Sequence, residues 1–231
     1  MGVLFVTSAT GGGGGTNSVT TGSFDTAGTN RIIIVTSDSS QDAGPSGISS
    51  SSGLTFVQIE SNKTKGAGNG VVAVWRALAS SQLATETVTV TYTSLPHASV
   101  VVMVFSGIDI TGTNGSGAIG ATATANDTTF GSTTIAVSVT TTRPGSLVIG
   151  GLGESSNKTF TANSGETAVI LNGGTFSTGI GERENSSTAA SGTNVTVGGT
   201  LSAGMVWAAI GVELLVAKVA SQNNLTLMGV S

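Results

Sequence analysis

The segments NRIIIVTSD (30–38) and ASVVVMVFSG (98–107) decide the fold of this chain. Both are short runs of β-branched and other apolar residues, which at this length favour buried strands over helices. Other segments alternate apolar and polar residues or form shorter β-branched blocks, with Gly, Ser, Asn and Pro between them. These further predicted strands are VLFVTSAT (3–10), LTFVQIE (54–60), GVVAVWRA (70–77), ETVTVTYT (86–93), STTIAVSVT (132–140), GSLVIGGLG (145–153), TAVILN (167–172), NVTVGG (194–199) and MVWAAIGVELL (205–215). The pattern predicts an all-β, antiparallel β-sandwich of at least ten strands.

One segment, RALASSQLA (76–84), has the composition of a helix but only about two turns of length. A short helix and a loop both fit it. In either case the predicted helix content is under about 10%.

The β-rich blocks recur in the same order in two parts of the chain. The block at 30–40 precedes Arg76 and a later block that ends at residue 107, and the block at 145–156 precedes Arg183 and one that ends at residue 212. The spacing between matched positions falls steadily, from 115 residues at the first blocks to 107 at the arginines and 105 at the last blocks. Two copies that differ by small deletions would show such a fall, although any Thr- and Val-rich β protein aligns with itself to some degree. We therefore expect two sequence-related halves, 1–110 and 111–215, each with about five strands, that face each other to close the sandwich.

The composition argues against most kinds of catalytic site. The chain has 35 glycines, no cysteine, a single histidine (His97), and only 9% charged and 4% aromatic residues. Without cysteine there are no disulfides, thiolate metal ligands or catalytic thiols. One histidine leaves little for general acid–base chemistry or a His-rich metal site. The sequence predicts a structural or binding protein that is not an enzyme and uses no cofactor.

The charge and hydropathy patterns argue against two kinds of partner. The net charge is −4 and the isoelectric point is near 4.8, so the chain lacks the dense basic face that nucleic acid requires. The longest apolar runs, around 100–105 and 205–217, are shorter than the ~20 residues of a membrane-spanning helix. The N-terminal apolar stretch is short and has no basic segment before it, unlike a secretory signal. We expect a protein made in the cytoplasm that binds neither nucleic acid nor membrane.

The order of motifs along the chain resembles a known module. LTF with a polar loop, V-x-V-W-R-A, T-V-T-V-T, a Val-rich strand ending in FSGID, then GSLVIG and WAAIGVEL occupy 53–60, 71–77, 86–93, 98–109, 145–151 and 205–214. This set resembles a jelly-roll-like β-sandwich module of tailed-phage structural proteins and some bacterial surface proteins. The resemblance implies a structural or attachment role on a virion and brings no functional residues with it. The segment 216–231 extends past the point where such modules end.

Two functions follow as expectations. The first is a virion structural protein, a capsid decoration (cement) or shell component, whose partners are further copies of itself and other virion proteins. Besides the resemblance, it agrees with an extracellular type of composition without an export signal, since virions leave cells by lysis. The alternative is a carbohydrate-binding or adhesin module with a glycan partner. That function needs exposed aromatic platforms, which only Trp75, Trp207 and Tyr92 could furnish.

Two groups of acidic residues are candidate sites. Asp38 and Asp42 could offer oxygen ligands to Ca²⁺, but without a third nearby acid they are expected in a solvated turn. Glu182 and Glu184 flank an arginine, so the two acids share one face of a strand. Paired carboxylates can hydrolyse glycosides, but no sugar platform accompanies these, and cross-strand charge pairing is the expectation. We predict no catalytic, metal-binding or cofactor-binding residue.

Other conspicuous residues are expected to be structural. Trp75 and Trp207 lie within predicted strands, where the ring fills the core. His97 follows Pro96 in a predicted turn and is expected to be exposed. The run GGGGG (11–15) lacks the Lys-Ser/Thr and the helix of a phosphate-binding loop and is expected to be a flexible connector between strands.

The C-terminal segment VAKVASQNNLTLMGVS (216–231) is predicted to be an assembly arm. Its apolar residues flank the polar break QNN, a pattern that suits two short extended pieces better than a helix. An extended arm can add to the exposed sheet edge of a neighbouring subunit. The residues predicted to make these assembly contacts are Val216, Val219, Leu225, Leu227 and Val230.

Overall fold

The protein folds into antiparallel β-sheets. A computed structural model describes residues 2–40, 44–64, 70–127, 131–154, 156–172, 178–188 and 190–218. The strands up to residue 110 are β1 (Leu4–Gly13), β2 (Ser18–Thr20), β3 (Arg31–Ser39), β4 (Pro45–Ser50), β5 (Val57–Lys63), β6 (Val71–Ala79), β7 (Val88–Tyr92) and β8 (Ala98–Ser106). After a 3₁₀ segment, Thr113–Ala118, come β9 (Ile119–Asn126), β10 (Thr134–Thr140), β11 (Leu147–Glu154), β12 (Phe160–Ala162), β13 (Glu166–Asn172), β14 (Thr178–Glu184), β15 (Asn194–Leu201) and β16 (Trp207–Leu214). The predicted all-β sandwich class is confirmed.

The strands form four sheets, two from each part of the chain. The first eight strands form a five-stranded sheet in the order β1-β8-β3-β6-β5 and a three-stranded sheet in the order β2-β7-β4. The last eight form a five-stranded sheet, β9-β16-β11-β14-β13, and a three-stranded sheet, β10-β15-β12. The strand order is thus the same in the two parts, with β9 in the place of β1 and so on. Each part has eight strands where about five were expected, and the sequence relationship between the two halves stays a prediction.

The four sheets stack as layers, with the two five-stranded sheets in the middle. In the central pair, β1 lies over β13, β3 over β11 and β5 over β9. Each three-stranded sheet covers the outer face of the five-stranded sheet from its own part of the chain. The five-stranded sheets from the two parts of the chain thus pack against each other, and each also has its own covering sheet.

This layering explains why the central strands contain continuous apolar runs. Alternate residues of β3 enter different cores: Ile32 and Ile34 pack between the two five-stranded sheets, whereas Ile33 and Val35 pack beneath the first three-stranded sheet. Strands buried on both faces need apolar side chains on both, which gives continuous runs instead of alternation. The run RIIIV of the sequence is therefore a consequence of two cores on either side of one strand.

Glycines allow the two central sheets to approach closely. A Cβ atom on Gly151 of β11 would lie 2.6 Å from Val74 Cγ2, and one on Gly181 of β14 would lie 2.7 Å from Val101 Cγ1. The predicted flexible connector GGGGG is wrong in part, because Gly11–Gly13 belong to β1 and pair with β8. At Gly11 a Cβ would lie 2.3 Å from the Thr20 carbonyl oxygen, so this strand position has no room for a side chain.

The segment 76–84 resolves into strand and loop. Strand β6 continues through Ala79, with Arg31 opposite Ala79, and the following residues form the connection to β7. No helix in the described part of the chain is long and apolar enough to cross a membrane.

Candidate functional site

The most accessible apolar surface of the sheets lies where two edge strands stack, and we call it the β1–β13 edge. Strand β1 ends one five-stranded sheet, and β13 ends the other. Leu4 of β1 is 58% exposed and Ile170 of β13 is 41% exposed. Glu166 is the single charged residue in the two strands. An edge strand presents unpaired backbone N–H and C=O groups, and this edge lacks the lysines and prolines that usually discourage pairing.

The opposite side of the stack, where β5 lies over β9, is protected. Its strand β5 carries Glu60 and Lys63 and has a register shift between Gln58 and Glu60. Asn62 Nδ2 donates to the Ala125 carbonyl oxygen at 2.7 Å, which ties the two sheets together. Charges, a bulge and cross-sheet hydrogen bonds are the features that prevent edge-to-edge association. The β1–β13 edge also has a register shift, between Phe5 and Thr7, but it carries fewer charged residues than the β5–β9 side.

Aromatic and cationic groups hold the two sheets together at the β1–β13 edge. The Arg183 guanidinium carbon lies 4.6 Å from the centre of the Phe5 ring, a cation–π contact between β14 and β1. The Phe5 ring in turn packs edge-on against Phe105, with 5.9 Å between ring centres. Burial lowers the pKa of Arg183, but arginine remains charged at neutral pH. The edge is therefore a fixed surface formed by both halves.

The first residues of the predicted assembly arm bind their own chain. Val216 forms an antiparallel bridge with Ile108, and its carbonyl oxygen accepts a hydrogen bond from Arg143 Nη1 at 2.9 Å. The next residue, Ala217, donates its N–H to the Gly107 carbonyl oxygen at 2.8 Å. Of the five predicted contact residues, Val216 thus packs on its own subunit. The other four, Val219, Leu225, Leu227 and Val230, lie outside the described residues, so their part in assembly stays a prediction.

An ion pair fastens this C-terminal attachment. Arg143 Nη1 lies 2.9 Å from Asp109 Oδ2, and Asp109 is buried. Burial raises the pKa of Asp109, but hydrogen bonds from Thr111 and Arg143 outweigh it and leave the pKa lowered. The pair links the segment between the halves, the loop after β10 and the end of the described chain.

Glu182 is a buried acid with no compensating partner. It points into the core beneath the second three-stranded sheet, and neither carboxyl oxygen has a hydrogen-bond partner among the residues that the structure describes. Burial, reinforced by the nearby Glu166 carboxyl, raises the pKa of Glu182 to about 9. The carboxyl group is therefore neutral at physiological pH. The predicted cross-strand charge pairing is wrong, because Glu182 lies opposite Ala168, and Glu184 lies opposite Glu166.

Glu213 is equally buried but well partnered. Its carboxylate accepts hydrogen bonds from the backbone N–H groups of Ala121, Thr142 and Arg143 at 2.8–3.1 Å, and from the Thr142 hydroxyl at 2.7 Å. Burial raises the pKa of Glu213, but these bonds overcome it and lower the pKa. Nothing in the sequence distinguishes Glu213 from Glu182, because the difference lies in the loops that fold over each.

Asp38 and Asp42, the possible Ca²⁺ ligands, do not form a cation site in the described part of the chain. Asp38 is buried in β3 instead of lying in a solvated turn, and it faces Gly153 and Gly179 of the opposite sheet. Asp42 lies outside the described residues. Among those residues no group of three or more His, Cys, Asp or Glu side chains could hold a metal ion.

The aromatic residues are in the cores, as predicted for the tryptophans. Trp75 is 5% and Trp207 is 8% exposed, each in the core beneath a three-stranded sheet. Tyr92 is buried too, and its hydroxyl shares a 2.8 Å hydrogen bond with Ser37 Oγ. Burial raises the pKa of Tyr92. His97, expected to be exposed, is half-buried against Gly14.

Comparison of the chain with protein-family models, with curated proteins and with solved structures gave no match. The function is therefore inferred from the residues and contacts described above.

Proposed function

We propose that this protein is a non-enzymatic structural component of a virion, a capsid decoration (cement) or shell protein. It stabilises an assembly through contacts with further copies of itself and with other virion proteins. The observation that carries the proposal is the open β1–β13 edge, with Leu4 and Ile170 exposed on it. The motif resemblance given above supplies the virion setting.

The edge is suited to a partner that adds a strand or packs against it. Strand β1 pairs with β8 along one side, and β13 pairs with β14. The segment after β2 covers the end of β1, where Gly22 N donates to the Thr10 carbonyl oxygen, so a partner strand would pair with the start of β1 and with β13. Backbone pairing supplies affinity, and alternate side chains such as Ile170 supply specificity. Repetition of this contact around a particle adds avidity, so each single contact can be weak.

The buried ionisable groups support a role by contact. Glu213 organises loops through backbone N–H groups, and Asp109 fastens the C-terminal segment. Glu182 has a raised pKa but lies closed inside a core, with 0% of its surface exposed. A catalytic acid must reach its substrate. These acids serve the fold.

The alternative, a carbohydrate-binding or adhesin module that stacks sugars on aromatic platforms, loses the residues it required. Trp75, Trp207 and Tyr92 are all buried in the cores. Side chains that fill a core offer no ring face to a ligand. A glycan would have to be bound by other means.

The experiment compares the association of edge variants by sedimentation velocity. Ile170→Lys and Leu4→Lys place a charge on the β1–β13 edge, and we expect either to abolish self-association or binding to particles. Leu95→Lys is the matched control, since Leu95 is 60% exposed but lies in the loop after β7. If the edge variants associate as the wild type does, or the control is equally impaired, the proposed contact surface is wrong.

A further inference from the structure

An open groove of about 540 Å³ lies on the first half and borders the β1–β13 edge, since Val6 and Thr7 of β1 line it. It is formed by the start of β1, by the loop between β2 and β3, and by the connection between β6 and β7. The lining combines three hydroxyl groups, one carboxylate and three apolar side chains. The residues that line the groove include Val6, Thr7, Ser23, Phe24, Asp25 and Thr85.

Two backbone positions beside the groove adopt an unfavourable conformation. Ala27 has φ = 48° and Thr85 has φ = 54°, in the left-handed region that residues other than glycine rarely adopt. Both line the groove. Such positions persist only where surrounding structure holds them, and they concentrate at functional sites.

Hydrogen bonds fix the two loops in place. Thr85 N donates to Asp25 Oδ1 at 2.7 Å, and Thr26 N donates to the Leu83 carbonyl oxygen at 2.9 Å. Arg31 also donates to the carbonyl oxygen of Ala27, in the loop between β2 and β3, at 2.8 Å. The groove is thus formed before any ligand arrives, which reduces the entropy lost on binding.

The free polar groups of the groove match a polyhydroxyl ligand. Asp25 Oδ2 and the hydroxyls of Thr7 and Ser23 make no hydrogen bond to the described residues, and a carboxylate oxygen can accept from two sugar hydroxyls. Val6, which is half-buried, supplies an apolar surface for the C–H face of a sugar ring. The carboxylate disfavours anionic ligands, and a single acid with several hydroxyls is not the lining that a cation selects. We propose that this groove binds a neutral saccharide, a role separate from assembly through the β1–β13 edge.

The test is a titration of the full chain, followed by ¹H–¹⁵N NMR. The probes are glucose, galactose, mannose and N-acetylglucosamine and their short oligomers, with glucuronate and spermidine as charged controls. We expect at least one neutral saccharide to shift the amide signals of Asp25 and Thr85. Asp25→Asn keeps an oxygen for the Thr85 N–H but loses the second acceptor, and should raise the Kd at least tenfold.

The matched control is Glu60→Gln, which removes one carboxylate on β5 and should leave the Kd unchanged. If Asp25→Asn fails to fold, Ser23→Ala tests the same groove without removing a loop hydrogen bond, and should raise the Kd at least threefold. No shift with any neutral saccharide, equal affinity in the groove variants, or shifts with spermidine alone would overturn the proposal.

Discussion

Replacing Glu182 by Gln should remove a large pH dependence of stability. Glu182 lies in the same core as Trp207, with no partner for its carboxyl oxygens and Glu166 as the nearby acid. The folded protein holds this carboxyl protonated, whereas the unfolded chain releases the proton near the ordinary pKa of 4.5. Because the folded state binds the extra proton, stability falls as pH rises above 4.5 and levels off above about 9.

The size of the effect follows from the width of this window. A difference of one bound proton between the folded and unfolded states changes the free energy of unfolding by about 1.4 kcal/mol per pH unit. Between pH 5 and pH 8 the wild type should therefore lose about 4 kcal/mol through this group. That is a large share of the ~5–15 kcal/mol by which domains are stable. Gln has the same shape and no proton to lose, so Glu182→Gln should lose this contribution to the slope and keep only the smaller part from the raised pKa values of Glu154 and Glu184.

Urea unfolding at several pH values, followed by tryptophan fluorescence, measures this slope. Trp207 reports on the core that contains Glu182, and Trp75→Phe removes the signal from the other half. An unpaired amide N–H in the variant can cost about 1–3 kcal/mol at every pH, so the slope and not the absolute stability is compared.

Glu213→Gln is the matched control, because Glu213 is equally buried but has a lowered pKa. A lowered pKa contributes stability that is present above the ordinary value and is lost as pH falls, so this variant should lose stability at neutral pH and flatten the acid side of the profile. We expect a loss of about 2–3 kcal/mol, since the amide turns an N–H group toward N–H donors. A wild-type profile that is flat from pH 5 to pH 8, or a Glu182→Gln slope equal to that of the wild type, would refute the reasoning.

Three further changes test the packing and the C-terminal segment. Thr36→Val removes a buried hydroxyl without a hydrogen-bond partner and should leave the unfolding free energy, measured in urea, unchanged or raise it by up to about 1 kcal/mol. Gly151→Ala places a methyl group 2.6 Å from Val74 Cγ2 and should cost about 1–3 kcal/mol in the same assay; an unchanged midpoint would contradict the close sheet packing. Deletion of 219–231 keeps the Val216 and Ala217 contacts, so circular dichroism should show a folded β-rich protein, while sedimentation should show that it no longer joins the assembly. Full incorporation of the truncated chain would contradict the prediction that the C-terminal segment is an assembly arm.

The sequence predicted the strands whose side chains are β-branched and missed those whose side chains are small. Strands β3 and β8 were evident because both of their faces are buried. By contrast β4, PSGISS, and β9, IGATATAN, consist of residues that also occur in loops, and their strand character comes from pairing with β7 and β16. The number of sheets could not be predicted for the same reason.

The proposed contact surface was harder to predict from the sequence than the fold. Ile170 lies in a predicted strand, but its exposure depends on β13 being an edge, and strand order is set by pairing between distant segments. Likewise, the pKa is raised for Glu182 and lowered for Glu213, and this difference depends on which loop reaches each carboxyl group. Asn62, whose side chain ties β5 to β9, lies in a tripeptide of common residues, so nothing in the sequence marks it as a contact between sheets.

Density-gradient sedimentation of intact particles from the source organism's lysate tests the central claim most directly. The account predicts that the chain migrates with the particles, that the Leu95→Lys variant does so too, and that Ile170→Lys remains at the top of the gradient. Recovery of the wild-type chain only as a free species would contradict a structural role in a virion.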